Sequence, residues 1–264
     1  MLSKNKINIS LKKFIKKLLP QSIINFIANR RNSQNYRILK NPNLAKLKIR
    51  YQQTWQNTSL PNRQLKLVIK QLPNFANIAP MKALIDLLKK IETKNKNLLE
   101  IGCSSGYYSE VIKRAGFDLN YEGCDYSAEF IKLAKERYPR INFKVSDATN
   151  LDYQDNQFDI VISGCCLLHI IDYELAIKEV ARVAKNFVIF HRTPVISKNQ
   201  TVFAEKIGYG MKMLEIFFNE NELKELFKKY GLKIQDENTH TQFSVRKLDE
   251  PILMKSYLCQ KVTN

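Results

Sequence analysis

Leu98-Leu99-Glu100-Ile101-Gly102-Cys103-Ser104-Ser105-Gly106 decides the fold of this chain. An apolar run ends in an acid and two glycines, and residues 107–115 then carry a helical pattern closed by Gly116. A short strand over residues 119–123 follows and leads to Asp125. Residues 97–123 therefore read as strand, tight turn, helix and strand. Glycines at such a turn let the backbone approach a ligand and aim free N–H groups at it. An acid about 20 residues further on, at the tip of the next strand, is placed to hold a ribose diol.

Working outward, the alternation continues. Residues 81–91 and 128–138 read as helices, the second ended by Pro139. A strand over 141–145 runs into Ser146-Asp147-Ala148, and 158–163 is an almost wholly apolar strand suited to the centre of a parallel sheet. A helix over 173–183, a strand over 187–190 ending at His191, and a helix over 219–230 between Asn219 and Gly231 come next. Strands after Leu232 and over 256–262 complete the set. This order predicts an α/β fold with a doubly wound, mostly parallel sheet. In such sheets ligands sit outside the carboxyl ends of the strands. Those ends are Glu100–Gly106, Asp125, Asp147-Ala148, Ser163-Gly164 and His191-Arg192.

The run Glu-Ile-Gly-Cys-Ser-Ser-Gly at 100–106 lacks the Gly-x-Gly-x-x-Gly of a dinucleotide site. It resembles instead the first motif of class I S-adenosylmethionine (SAM)-dependent methyltransferases, usually Glu/Asp-x-Gly-x-Gly-x-Gly. Phe158-Asp159-Ile160-Val161 resembles their fourth, often Phe-Asp-x-Val. Ser104 stands where the family has its middle glycine, and makes the turn if its φ stays negative. The resemblance covers roughly residues 80–264. It implies a seven-stranded Rossmann-like sheet whose last strand, 256–262, is antiparallel, with SAM as cofactor. Glu100 and Gly102 would face the methionine part, with Cys103 and Ser104 in the loop and Gly106 opening the helix. Asp125 would accept from both ribose hydroxyls with Tyr126 beside it, Asp147 and Ala148 would hold adenine, and Ser163 would close the site. The segment 193–219 is expected as a long loop that lids the acceptor pocket, with Tyr209 an acceptor contact.

Methyl transfer to a hydroxyl needs a proton acceptor, and histidine suits that task at neutral pH. His191, after the fifth strand, and His169, six residues beyond Ser163, are the candidates; His240 has no strand-end position. Arg192 is a candidate partner for an anionic acceptor. Base-methylating enzymes of this fold carry Asn/Asp/Ser-Pro-Pro-aromatic after the fourth strand, where this chain reads Ser163-Gly164-Cys165-Cys166, and no cysteine follows a proline. The pattern is closest to the small-molecule group, with polyketide, quinone and polysaccharide-cluster members. A hydroxyl of a sugar, lipid-linked or small-molecule acceptor is the first expectation. RNA methylation and a SAM-binding scaffold stand as alternatives.

At 264 residues the chain can bury one substantial core plus an appendage. Its charge of +18 is confined: residues 1–85 hold 17 Lys or Arg and no acid, while residues 86–264 hold 26 basic and 25 acidic side chains. A nucleic-acid enzyme would usually be basic in its catalytic part too, so a nucleic-acid partner is the weaker reading. Leu11, Phe14, Ile15, Leu18 and Leu19 share one helical face, with Lys12, Lys13, Lys16 and Lys17 on the other. That pattern over residues 1–31 suits an anionic membrane surface, a helix packed on the catalytic domain, or a transit or nucleic-acid arm. The domain reading is 1–35 basic helical segment, 36–80 helical cap or linker, 81–264 catalytic domain. Five cysteines without Cys-x-x-Cys, and three histidines, predict no metal site or disulfide. With no apolar stretch of 18 residues and no leader pattern, a cytoplasmic location is expected, possible peripheral binding to the inner membrane face included. The oligomeric state is not encoded in any pattern here.

Overall fold

The computed structural model describes residues 36–262, and the basic segment over residues 1–35, with its membrane expectation, lies outside the described residues. The sheet is built on β2 (Lys96–Ile101), flanked by β3 (Leu119–Asp125) and β5 (Phe158–Gly164), all parallel. β4 (Asn142–Val145) pairs with β3, and β6 (Ala184–Ile196) with β5, again parallel. β10 (Pro251–Lys261) runs antiparallel to β6 and carries β9 (Leu232–Ser244) on its other side.

Side-chain alternation explains why both faces are covered. Leu99, Ile101, Val161, Val188 and Phe190 enter one core with α6 (Tyr173–Val183) and α7 (Glu220–Lys229). Leu98, Ile160, Ile162 and Ile189 enter the other, with α3 (Ala79–Leu88) and α4 (Tyr107–Arg114). Each such side chain is fully or almost fully buried and contributes roughly 2 kcal/mol relative to exposure. Helix α5 (Ala128–Arg137) packs beside β3 and β4, started by the Ser127 hydroxyl accepting from Phe130 N–H.

Two features differ from the sequence expectation. The sheet has ten strands among the described residues, not seven. The segment 193–219 is not a loop: β6 continues through it to Ile196, and β7 (Val202–Gly208) and β8 (Met211–Asn219) form an antiparallel hairpin. Its turn, Tyr209-Gly210, has φ values of 53° and 79°, as a two-residue hairpin connection with right-handed strand twist requires. The hairpin joins the main sheet where Val195 and Ile196 pair with Phe218 and Asn219. β1 (Tyr36–Ile38) adds to its outer edge, and α1 (Leu44–Gln52) and α2 (Leu60–Gln71) then cross above the carboxyl ends of the strands. No helix of the described residues is long and apolar enough to cross a membrane.

Candidate active site

A cavity of about 690 Å³ opens at the carboxyl ends of β2, β3, β5 and β6, within the size range of small-ligand sites. At its centre is the β2–α4 turn. Gly102, Ser104 and Gly106 have φ of 73°, 54° and 75°. A Cβ on Gly102 would stand 2.4 Å from that of Cys166, so only glycine fits. Ser104 corrects the expectation of a negative φ: it occupies the left-handed region at a cost of about 1–2 kcal/mol. Its surroundings hold it there. Ser104 N–H donates to Asp125 Oδ2 at 2.9 Å, and its hydroxyl donates to Gln64 Oε1 on α2.

The acids of one half follow from their positions. Asp125 ends β3; its two oxygens accept from the N–H groups of Ser104 and Ser127, both at 2.9 Å. One lone pair on each oxygen is left for a diol. Burial pushes its carboxyl up to about 6 despite those N–H groups. Glu100 is only 1% exposed, accepts from the Tyr121 hydroxyl, and lies over Gly164, where a Cβ would come within 2.4 Å of Oε1. Burial, opposed by the Tyr121 bond and reinforced by Asp125, raises it to about 8. Asp147, with Ser146 and Ala148 beside it in the wall, accepts from Thr149 N–H and hydroxyl at 2.8 Å.

These shifts give a stability prediction. An acid whose native value lies above its unfolded one favours folding at low pH, and that contribution is lost as pH rises through the native value. For Glu100 the window runs from about pH 4.5 to about 8, so the ligand-free protein loses stability across it. Glu100→Gln keeps an acceptor for Tyr121 and removes the titration. At pH 8 it is expected to melt about 5–10 °C above wild type, a difference that vanishes near pH 4.5, as calorimetric scans would register. Equal melting at both pH values would refute the assignment.

The other half is walled by Tyr36, Tyr51, Trp55, Cys165, His169, Arg192, Lys206, Tyr209, Glu215 and parts of β9 and β10. His169 follows Leu167 and Leu168 in a short 3₁₀ turn. Its Nδ1 lies 2.6 Å from the carbonyl of Leu214 in β8 and must donate to it, which leaves Nε2 as the unprotonated nitrogen. Burial holds the ring below the usual imidazole range, so it is neutral at physiological pH. Trp55 packs against it at 4.6 Å between ring centroids. His191, the other candidate base, is no part of the cavity wall. It is 1% exposed, with Nε2 on the Tyr108 hydroxyl and Nδ1 on the Ser256 hydroxyl, both at 2.9 Å, and burial keeps it neutral. Both nitrogens are occupied inside the fold, and the role of base is withdrawn from it.

Residues 99–190 match the methyltransferase domain family. The demethylmenaquinone methyltransferase of Paenarthrobacter aurescens is 34% identical over 90 residues, 34% of this chain and 35% of that protein. The ajmaline N-methyltransferase of Rauvolfia serpentina is 34% identical over 100 residues, 35% and 34% of the two chains. The chain thus matches about a third of the length of these curated relatives. A SAM-dependent methyltransferase structure from Methanosarcina mazei superposes with a TM-score of 0.55 at 20% identity, over 67% of this chain and 98% of that one, and shares the fold.

Residues 99–190 are a methyltransferase domain.

SAM is the donor of methyltransferases of this kind, and the acidic half of the cavity has the chemistry to fit it: each Asp125 oxygen keeps a lone pair beyond its backbone N–H, and Glu100 lines the wall beside the glycine turn. The structure gathers Glu100, Gly102, Ser104, Asp125, Tyr126, Asp147 and Ala148 around the cavity, with His169, Arg192 and Tyr209 across from them. Cys103, Gly106 and Ser163 do not reach it. The Cys103 side chain packs with Ile131 and Phe143, the Ser163 hydroxyl meets the Cys166 thiol at 3.3 Å, and Gly106 serves as the left-handed cap of α4. The sequence reading missed Gln64, Tyr36, Lys206 and Glu215, which arrive from α2, β1 and the hairpin. The Gly208-Tyr209-Gly210 turn signal between two β-prone runs could have found the last two.

Proposed function

We propose that this protein transfers the methyl group of SAM to a hydroxyl of a small organic acceptor, with His169 receiving the hydroxyl proton. One observation carries the reading: a neutral histidine whose tautomer is fixed by Leu214 stands in the same cavity as the diol-binding arrangement at Asp125. The sulfonium already bears the activated methyl group, so the protein's task is to align the acceptor, exclude water and take the proton. Asp125 would take the ribose, Asp147 and Ala148 the adenine, and the turn at Gly102 the methionine part. Tyr209 and Trp55 would flank the acceptor.

The relatives named above act on demethylmenaquinone and on ajmaline by their names, which supports a small-molecule acceptor here too. The basic residues 1–31 would bring the enzyme to an anionic membrane surface, and a sugar or lipid-linked acceptor fits that placement. Transfer of labelled methyl from SAM into fractionated extract, with Asp125→Ala as control, tests the reaction. Label in RNA, with binding that weakens steeply in salt, would replace this reading by RNA methylation. Flotation with anionic vesicles that persists after removal of residues 1–31 would refute the membrane part.

A further inference from the structure

Three cations line the cavity, and two of them are neutralised: Lys48 by Asp172 and Lys206 by Glu215. Arg192 has no acid partner among the described residues, and its Nε is buried without a hydrogen-bond partner. Its guanidinium lies beside Cys165, Tyr107 and Tyr108. A half-buried charge without a counter-charge is a ready partner for an anionic ligand.

The backbone is built to present this side chain. In β6, Phe190 pairs with Tyr257 and Thr193 with Lys255, so His191 and Arg192 together face the single residue Ser256 of β10. This is a β-bulge, which re-aims side chains. In a regular strand the two neighbours would point to opposite faces. Here both lie beside Tyr108, and Arg192 is held at a φ of 58° with its N–H on the Ser256 hydroxyl. Strained backbone of this kind concentrates at ligand sites. β6 stands two strands from β2, roughly 10 Å from the glycine turn at about 4.8 Å per strand. Arg192 thus belongs to the half of the cavity that holds His169, Cys165 and Lys206.

We propose that Arg192 anchors a carboxylate or phosphate of the methyl acceptor, which makes the acceptor an anionic small molecule; this rests on the methyltransferase reading above. The planar guanidinium suits both oxyanions through paired N–H donors. His240, itself kept neutral by burial and by the Arg192 charge, adds no competing cation.

The test uses the full chain loaded with S-adenosylhomocysteine, titrated with inorganic phosphate and with acetate against sodium chloride of equal ionic strength. Either anion is expected to raise the melting temperature of wild type, and Arg192→Gln to weaken that response about tenfold or more while S-adenosylhomocysteine affinity stays within about threefold. If Arg192→Gln does not fold, Arg192→Lys carries the test, with weaker anion binding and unchanged cofactor affinity. Loss of S-adenosylhomocysteine binding in the variant, with 5′-methylthioadenosine bound as before, would assign Arg192 to the donor's own carboxylate and overturn the proposal. So would a loaded wild type indifferent to both anions. A wild type that binds neither nucleoside refutes the methyltransferase reading itself.

Discussion

Asp125→Ala is expected to weaken S-adenosylhomocysteine binding by about a hundredfold or more in titration calorimetry. The carboxylate is already oriented, since each oxygen accepts one backbone N–H, from Ser104 and from Ser127. No side chain has to be immobilised when a diol arrives. Two hydrogen bonds to a charged acceptor contribute about 1.5–3 kcal/mol each, which sets the scale of the loss. The same substitution also removes the acceptor that holds Ser104 in its left-handed conformation, so the turn loses definition as well. Asp125→Asn separates the two effects. Its amide nitrogen would face one of two N–H donors, so it should lose affinity almost as fully while keeping the side chain's shape. Binding within a few-fold of wild type by a folded Asp125→Ala protein would remove the diol from this residue.

His169→Gln should reduce methyl transfer by about 10²–10⁴ while S-adenosylhomocysteine binds within about threefold of wild type. Nδ1 is committed to the Leu214 carbonyl, so Nε2 carries the free lone pair. Burial keeps the ring neutral below the usual imidazole value. Activity should therefore hold level through neutral pH and fall only on the acid side, where the ring gains its proton. In the glutamine variant that acid limb should disappear from the residual rate. The labelled acceptor fraction provides the assay. A variant with full turnover would mean that the acceptor atom needs no base, as for a carbon or an amine.

The sheet and its acidic edge were legible because their cause is local. An apolar strand, a glycine bend and an acid at the next strand tip are consecutive in the chain, and the structure keeps them in the expected places from Glu100 to Asp147. What failed depends on distant partners. His191 was read as a strand end, yet β6 runs on to Ile196 and the bulge opposite Ser256 turns the ring towards Tyr108 and away from the cavity. Ser104 was read as able to make the turn only with a negative φ, since a side chain disfavours the left-handed region. Asp125 and Gln64, 21 residues after it and 40 before it, override that preference. The hairpin was read as a loop because its Met- and Phe-rich second strand hides the alternation; Met213, Leu214, Ile216, Phe217 and Phe218 are all buried.

Helix α2 is clipped at adjacent residues to the glycine turn and to the hairpin tip. Gln64 receives the Ser104 hydroxyl from the glycine turn, and Arg63 Nη1 donates to the Tyr209 carbonyl at the hairpin tip, 2.8 Å away. Whatever settles the turn also settles the roof above the opposite half. The expected consequence is a fixed order of arrival: a nucleoside that settled the turn would shape the berth for a second reactant, and initial-rate kinetics should show it binding first and leaving last.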